Sequence, residues 1–307
     1  MTAAANPPRV LVSVLTYNSA ERAIETVASA RALTYPRFHL QVVDNGSTDD
    51  SVDRLRARFP DLEIVESGSN RGYAGGNNVA LDRGASEGFD HVLTCNDDIA
   101  IAPDALAHLV ETAECHEDAG VVGGVEVDHA SGRPRTTGGL QPPDWRCRIH
   151  WTLDSPAPGL AASRALFVQG ALVLFTRRAL DRGVRFDENL FMYWDEIELG
   201  YELESRGLAA YVDHRVLVRH RNDPAALNAR TGYLQQRNRA YIVRKRFPAG
   251  RRAAYLVYST LVELPAKVVV RTLQGHPRFA LACVLGHWDG IRGRMGRGRL
   301  ESLEAVR

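Results

Sequence analysis

Residues 9–27 read RVLVSVLTYNSAERAIETV. The opening run is rich in β-branched and aliphatic residues and stops at Thr16-Tyr17-Asn18. The segment behind it has helical spacing, with Asn18 placed to cap it and Glu21 three residues on. A strand that passes through a short polar turn into a helix is the first half of a βαβ unit. The same rhythm recurs three times: HLQVVD (39–44) before NGSTDD, LEIVES (62–67) before GSNRGYAGGNN and a helical stretch, and HVLTC (91–95) before NDDIAI. This alternation predicts an α/β protein built on an open, mostly parallel sheet with helices on both faces. In such sheets ligands sit beyond the carboxyl ends of the strands. The turns TYN, DNGSTDD, NRGYAGGNN and NDD all fall at those ends.

The turns exclude two common ways of holding a nucleotide. TYNSAER contains no glycine, so no G-x-G-x-x-G follows the first strand, and G-x-x-x-x-G-K-[ST] occurs nowhere. A sheet of this kind can instead hold a diphosphate through a divalent cation, which needs carboxylates at a strand end. Asn96-Asp97-Asp98 supplies them, although turns favour Asp for their own reasons. Asp44 ends a neighbouring strand, where its carboxylate could accept from a base N–H or a ribose hydroxyl. Arg71 sits in a turn within reach of a diphosphate or base carbonyl. Gly75-Gly76 would let the backbone approach a ligand or simply make a tight turn, and Asn77-Asn78 would begin the next helix.

Composition bounds the rest. The 307 residues are 45% hydrophobic and 24% charged, an ordinary globular balance that allows one large α/β core with an appendage. The four cysteines form no C-x-x-C pair, which argues against a zinc site or disulfide framework and suits a reducing compartment. MTAAANPPRV has no basic or apolar leader region, so a cytoplasmic protein is predicted. Apolar runs are broken by Gln169, Glu263, Pro265 and Lys267, so no bilayer-spanning segment is predicted. Charge is unevenly spread. Residues 230–307 hold 16 Lys or Arg against 4 Asp or Glu, a balance of +12, while the remaining 229 residues balance at −11. Such a tail either docks on the acidic body or attracts an anionic surface, at the inner face of a membrane or on a phosphorylated acceptor. No nucleic-acid partner is indicated; a homo-oligomer interface is the other role open to it.

Residues 128–164, rich in Pro, Gly, Arg and Trp, read as a long excursion near the active site. ALFVQGALVLFTR (165–177) reads as a buried strand interrupted by Gly170, and AAYVDHRVLVRH (209–220) as a strand ending in His220. Between them FMYWDEIELGYELESRG (191–207) sets five carboxylates behind four large apolar side chains. With a helix starting near Trp194, Glu196 shares a face with Leu199, Gly200 and Leu203, while Asp195, Glu198 and Glu202 share another that can be solvated. Burial of Glu196 would raise its pKa toward that of a general base, and the helix N-terminus would oppose the shift.

These motifs occur together in one family. VLVSVLTYN, VVDNGSTDDS, SNRGYAGGNN, LTCNDDI, FVQGALVLFTRRAL, RFDENLFMYWDEIELGYELESRG and VLVRH have the order and spacing of a family 2 glycosyltransferase, and the chain most resembles its bacterial rhamnosyl- and galactofuranosyl-transferase branch over roughly residues 9–247. The resemblance implies a GT-A fold, an inverting reaction, a nucleotide-diphosphate sugar donor (dTDP-rhamnose as first expectation) and Mg or Mn on the diphosphate. Thr16, Asn18, Asp44 and Arg71 would hold the nucleoside, with Tyr17, Asn45, Gly75, Gly76, Asn77 and Asn96 completing the donor side. Asp97 would sit near the ribose, Asp98 and His220 would bind metal, and Trp194 and Gly170 would lie on the acceptor side. The acceptor would be a glycan, a lipid-linked sugar or a small molecule. The family's acid pair ends in Asp; here it reads Asp195-Glu196, one methylene longer, with Glu196 read as the base. The implied layout is a catalytic domain over 1–229, its nucleotide part at 9–125 and its acceptor part at 126–229, plus a basic helical region over 230–307. A sugar nucleotidyltransferase would use similar carboxylates but normally needs a Gly-rich basic loop after the first strand. A non-catalytic nucleotide-sugar-binding protein would have little reason to keep the acids and His220.

Overall fold

The computed structural model describes residues 6–136, 138–139, 143–149, 160–221 and 228–304. The excursion predicted over 128–164 therefore lies partly outside the described residues. The four strand-helix repeats form as the sequence predicts: β1 (Val10–Thr16), α1 (Ala20–Arg31), β2 (Phe38–Asp44), α2 (Ser51–Arg58), β3 (Glu63–Glu66), α3 (Gly72–Ser86), β4 (His91–Asn96), β5 (Ile99–Ala100) and α4 (Ala105–Cys115). Then follow β6 (Ala119–Asp128), β7 (Pro134–Thr136), β8 (Ala162–Ala165), β9 (Leu172–Thr176), α5 (Arg177–Asp181), α6 (Asp195–Ser205) and β10 (Ala209–His220). The strands order as β3-β2-β1-β4-β9-β6-β10-β5, with β7 on β6 and β8 on β10. β3, β2, β1 and β4 run parallel, β9 runs against β4 and β6, and β6 and β10 are again parallel. Helices cover both faces, and the apolar residues of β1 and β4 alternate between the two resulting cores: Val12, Val14 and Leu93 in one, Leu11 and Val92 in the other.

Four local readings change. The helix after β1 begins at Ala20 with Ser19 in the cap position, and Asn18 does not cap it. Asn18 instead takes a left-handed φ of 49° and accepts from the Thr48 N–H at 2.8 Å, tying the first turn to the second. Gly75, Gly76 and Asn77 lie inside α3, one turn beyond its start, so they neither form a turn nor open a helix. Propensity disfavours glycine there, but tertiary packing wins: a Cβ on Gly76 would sit 2.5 Å from Leu15 Cδ1, so its absence lets α3 close on β1. The apolar run at 165–177 is not one strand: β8, which pairs with β10, ends at Ala165, and β9 begins only at Leu172, past the turn at Gly170. AGVVGGVEVD forms β6, a strand buried at nine of its ten positions, which sequence reading passed over.

Beyond residue 228 the chain is helical: α7 (Ala229–Arg246), α8 (Ala249–Tyr258), a π-helical turn (Ser259–Glu263), α9 (Leu264–Leu273), α10 (Pro277–Arg292) and α11 (Leu300–Glu304). α7 packs along α10, where Tyr233 Oη donates to Asp289 Oδ2 at 2.9 Å. Residues Ala249–Leu273 form 25 unbroken helical residues, long and apolar enough to cross a bilayer by length and composition. This corrects the expectation that Glu263, Pro265 and Lys267 interrupt the run. Pro265 follows directly on the π-helical turn, where the ladder of hydrogen bonds is already shifted, and both charged side chains turn onto α7.

Candidate active site

Two adjoining cavities open at the carboxyl ends of β1 and β4. The first, about 240 Å³, is lined by Thr16, Tyr17, Asn45, Asn70, Gly72, Tyr73, Asn96, Asp97, Asp98, Met192 and Arg230. Thr16 Oγ1 donates to Asp97 Oδ2 at 2.7 Å, fixing one carboxylate across the cavity floor. Burial, helped by the neighbouring Asp98 charge and opposed by that hydrogen bond, raises the Asp97 pKa to about 6. Asn45 Nδ2 donates to the Gly72 carbonyl at 2.9 Å and its Oδ1 accepts the Arg71 N–H at 3.0 Å, so it ties the second turn to the start of α3.

The remaining donor-side residues hold the frame. Asp44 is buried and accepts from the Gly46 and Ser47 amides at 3.2 and 3.1 Å, which closes its own turn. The Arg71 guanidinium pairs with Glu188 at 3.1 Å. Asn77 Nδ2 donates to the Tyr73 carbonyl within α3 at 3.0 Å. Gly75 and Gly76 are buried against Arg71, Leu15 and Asn45.

The second cavity, about 420 Å³, shares Tyr73, Asn96 and Met192 with the first and adds Glu126, Gln169, Gly170, Tyr193, Trp194, Asp195, Glu196, His220 and Gln235. His220 Nε2 lies 3.0 Å from Asp98 Oδ1, and its Nδ1 lies 3.3 Å from Glu126 Oε1. Burial pulls the imidazole pKa down, but the two carboxylates outweigh it and push it up to about 9. Among the described residues no three His, Cys, Asp or Glu side chains form a ready-made metal cluster. Asp98 and His220 would be the residues to hold a cation there, which would take its remaining ligands from a diphosphate and water. Ligation needs the neutral imidazole, so a cation would compete with the proton for His220.

Glu196 projects from the first turn of α6 into the second cavity. Burial raises its pKa, opposed by backbone hydrogen bonds at Glu196 and Gly170. A Cβ built on Gly170 would lie 2.7 Å from Glu196 Oε1 and 2.8 Å from Tyr73 Oη, so only glycine leaves the carboxylate its place. Tyr73 Oη itself donates to the Gly170 carbonyl at 2.7 Å. Asp195 is only 2% exposed, and burial plus the adjacent Glu196 charge raises its pKa well above the usual carboxylate range. The predicted solvated face is therefore corrected. Asp195 and Glu198 are buried, Glu198 accepts from Arg246 Nε at 3.0 Å and pairs with Lys245 at 2.7 Å, and Glu202 pairs with Arg246 at 3.0 Å. Glu198 and Glu202 face the end of α7, which lies too far along the chain for helical phasing to reveal.

Sequence reading also missed how the acid pair is held. Phe191, Tyr193 and Trp194 all take left-handed φ values, 65°, 70° and 71°. A non-Gly residue there costs on the order of 1–3 kcal/mol and persists only where its surroundings impose it. Here α7 imposes it. Asn238 Nδ2 lies 3.0, 2.8 and 2.8 Å from the carbonyls of Leu190, Met192 and Tyr193, and its Oδ1 accepts from Arg237 Nε at 2.9 Å. Arg237, fully buried, donates Nη2 to the Leu190 carbonyl at 2.7 Å and Nη1 to the Gly296 carbonyl at 2.5 Å. The one available signal was an Arg-Asn pair within an otherwise amphipathic helix. Arg230 and Gln235 of the same helix line the two cavities, and Tyr73 and Glu126 were likewise passed over.

The glycosyltransferase like family 2 model matches residues 7–242. The N-acetylglucosaminyl-diphospho-decaprenol L-rhamnosyltransferase of Mycobacterium tuberculosis is 27% identical over 242 residues, covering 70% of this chain and 78% of that protein. Among solved structures, the mannosyltransferase PcManGT of Pyrobaculum calidifontis, in complex with GDP-Man and Mn²⁺, superposes with a TM-score of 0.58 at 20% identity over 92% of this chain and 88% of that one. S. aureus TarS 1–349 with UDP-GlcNAc gives 0.57 at 17% identity over 96% and 83%. These likenesses show the fold, a GT-A arrangement with added C-terminal helices. With the family matched across most of its length, the chain belongs to the family 2 glycosyltransferases.

Proposed function

We propose that the protein is an inverting, metal-dependent transferase that moves a sugar from a nucleotide-diphosphate donor to an acceptor hydroxyl. The observation that carries this reading is the pair of adjoining cavities, with Asp98 and His220 close together beside their common wall and Glu196 in the second. The first cavity takes the nucleotide, with Thr16, Tyr17, Asn45, Asn96 and Asp97 around base and ribose. Asp98 and His220 would hold the divalent cation, whose chemistry there is to offset charge on the departing diphosphate. Arg230 lies on the same wall as a further source of positive charge.

Glu196 accepts the proton of an acceptor hydroxyl as its oxygen bonds to the anomeric carbon. The bond from that carbon to the diphosphate breaks on the opposite face, the nucleoside diphosphate leaves, and the configuration inverts. Burial suits Glu196 to the task by raising its basicity, and Gly170 leaves it room. Trp194 and Tyr193 form the apolar wall on which an acceptor ring can pack. Rhamnose from dTDP-rhamnose and a lipid-linked sugar are the donor and acceptor we favour, supported by the mycobacterial relative named for both a diphospho-decaprenol-linked sugar and L-rhamnosyl transfer.

Calorimetry with a panel of nucleotide sugars, with and without Mg²⁺ or Mn²⁺, tests this directly. A donor that binds only with the cation, and whose sugar is transferred with inversion, supports the reading. Release of pyrophosphate from a nucleoside triphosphate and a sugar phosphate, without sugar transfer, would establish a nucleotidyltransferase instead.

A further inference from the structure

The helical run 249–273 packs inward through Leu264, against Phe279 and Cys283, and through a polar stripe, and it leaves a second apolar stripe outside. One stripe, at four-residue steps, is Tyr255, Ser259, Glu263 and Lys267, and it faces the protein. Arg239 Nε donates to Tyr255 Oη at 3.1 Å and its Nη1 to Glu263 Oε1 at 2.7 Å, while Lys267 Nζ donates to Gln236 Oε1 at 2.8 Å. The opposite stripe is Val257, Leu261, Pro265, Val269 and Leu273. Leu261 is 70% exposed, Val257 60%, Val269 57% and Leu273 83%. Val262 and Val270 widen this surface, and Leu281 and Trp288 of α10 are exposed as well. A soluble amphipathic helix buries its apolar stripe and solvates its polar one. A contiguous apolar surface of this kind marks an interaction site.

What covers it follows from the chemistry around it. Arg251 and Arg252 stand at the start of the run, Arg271 and Arg278 at its far end, and Arg292 lies over the Trp288 ring, 5.6 Å from its centroid. No acidic residue occurs between Glu263 and Asp289, and the whole region from 230 carries 16 basic against 4 acidic residues. Apolar side chains on one face, arginines along the margins and a tryptophan beside them are what an anionic lipid surface accommodates. A second protein copy would bring the same positive margin against itself.

We propose that the face formed by α8, the π turn and α9 docks in the plane of an anionic membrane. The helix lies in the surface and does not cross it. At about 1.5 Å per residue its 25 residues are long enough to span. Spanning, however, would strip Glu263 and Lys267 from Arg239 and Gln236, on a helix that α7 fastens to the catalytic loop. The inference concerns binding alone and stands whichever acceptor the enzyme uses.

Flotation of the full chain with phosphatidylcholine vesicles, with and without phosphatidylglycerol, provides the test. The wild type floats with the anionic vesicles, less so as salt is added. Leu261→Asn with Val269→Asn, neither of which lines a cavity, lowers vesicle partitioning at least about tenfold. Arg251→Glu with Arg278→Glu removes the preference for phosphatidylglycerol. Unchanged melting temperatures and nucleotide affinity show that both variants remain folded. The proposal fails if the wild type stays unbound at low salt, or if both variants float like the wild type. It fails equally if the wild type is a dimer that Leu261→Asn/Val269→Asn dissociates, because the face is then an oligomer interface. Resistance to extraction by alkaline carbonate would overturn the in-plane orientation.

Discussion

Replacing Asn238 with alanine tests whether α7 sets the geometry of the acid pair. Three carbonyls, those of Leu190, Met192 and Tyr193, lie within 3.0 Å of one amide nitrogen that carries two protons. The substitution removes two hydrogen bonds' worth of donors and leaves acceptors unpaired in a partly buried site. Each stranded acceptor costs roughly 1–3 kcal/mol, so a total loss of about 2–4 kcal/mol is expected. That is survivable against the usual total of about 5–15 kcal/mol. The left-handed conformations at Phe191, Tyr193 and Trp194 then lose their restraint, and α6 starts directly behind them. Displacing Glu196 by about 1 Å costs on the order of 100-fold in rate. Chemical denaturation, with kcat and donor KM measured at saturating acceptor, should show kcat falling roughly 10–100-fold while donor KM changes little. Asn238→Ser, which restores a single donor, should fall between. Loss of stability with kcat within about twofold of wild type would show that the loop keeps its shape without Asn238, and the bracing argument would be wrong.

Three further outcomes follow. Gly170→Ala should reduce kcat about 10–100-fold, because the new Cβ falls 2.7 Å from Glu196 Oε1, whereas Gly250→Ala, with nothing within 4 Å of the new atom, should leave activity unchanged. Asp98→Ala should abolish cation-dependent binding of a nucleoside diphosphate while nucleoside affinity changes little, read by calorimetry with and without chelator; unchanged activity in excess chelator would remove the metal from the account. Asp195→Asn should raise the melting temperature near neutral pH. A carboxyl whose folded pKa is raised costs stability as pH climbs above its unfolded value of 3.8, so the gain should shrink as pH falls toward that value. A gain that persists at low pH would mean that packing, and not ionisation, separates the two proteins.

What the sequence disclosed was local. Strand runs that end in TYN, DNGSTDD and NDD carry their own turn chemistry, so the sheet and the position of the cavities could be read residue by residue. Helical phasing put Glu196 on the face of Leu199 and Leu203 but sent Asp195 to solvent, whereas Asp195 is the more buried of the two and lines the same cavity. Partners distant in the chain were not legible. Glu198 looked solvated until Arg246 folded onto it from 48 residues away, and Asn238 reaches Tyr193 across 45. Gly75 and Gly76 looked like a turn because helices disfavour glycine, while the close approach of α3 to Leu15 and Asn45 is a tertiary fact. The apolar helix was hidden for the opposite reason. Glu263 and Lys267 interrupt linear hydropathy but occupy a single inward stripe, which only the packing against Arg239 and Gln236 reveals.

The central claim is that Glu196 removes the acceptor's proton. The most direct measurement is the single-turnover transfer rate of Glu196→Gln at saturating donor, across pH, beside donor affinity by calorimetry. Glutamine keeps the size and much of the hydrogen bonding but cannot take the proton. The rate should fall by about 10²–10⁴-fold with donor affinity nearly unchanged. The acid limb of the wild-type profile should lie above the ordinary glutamate pKa of 4.5, because burial raises it, and should vanish in the variant. Near-normal turnover by Glu196→Gln, with Asp195→Asn inactive, would contradict the account and assign the proton transfer to the buried neighbour.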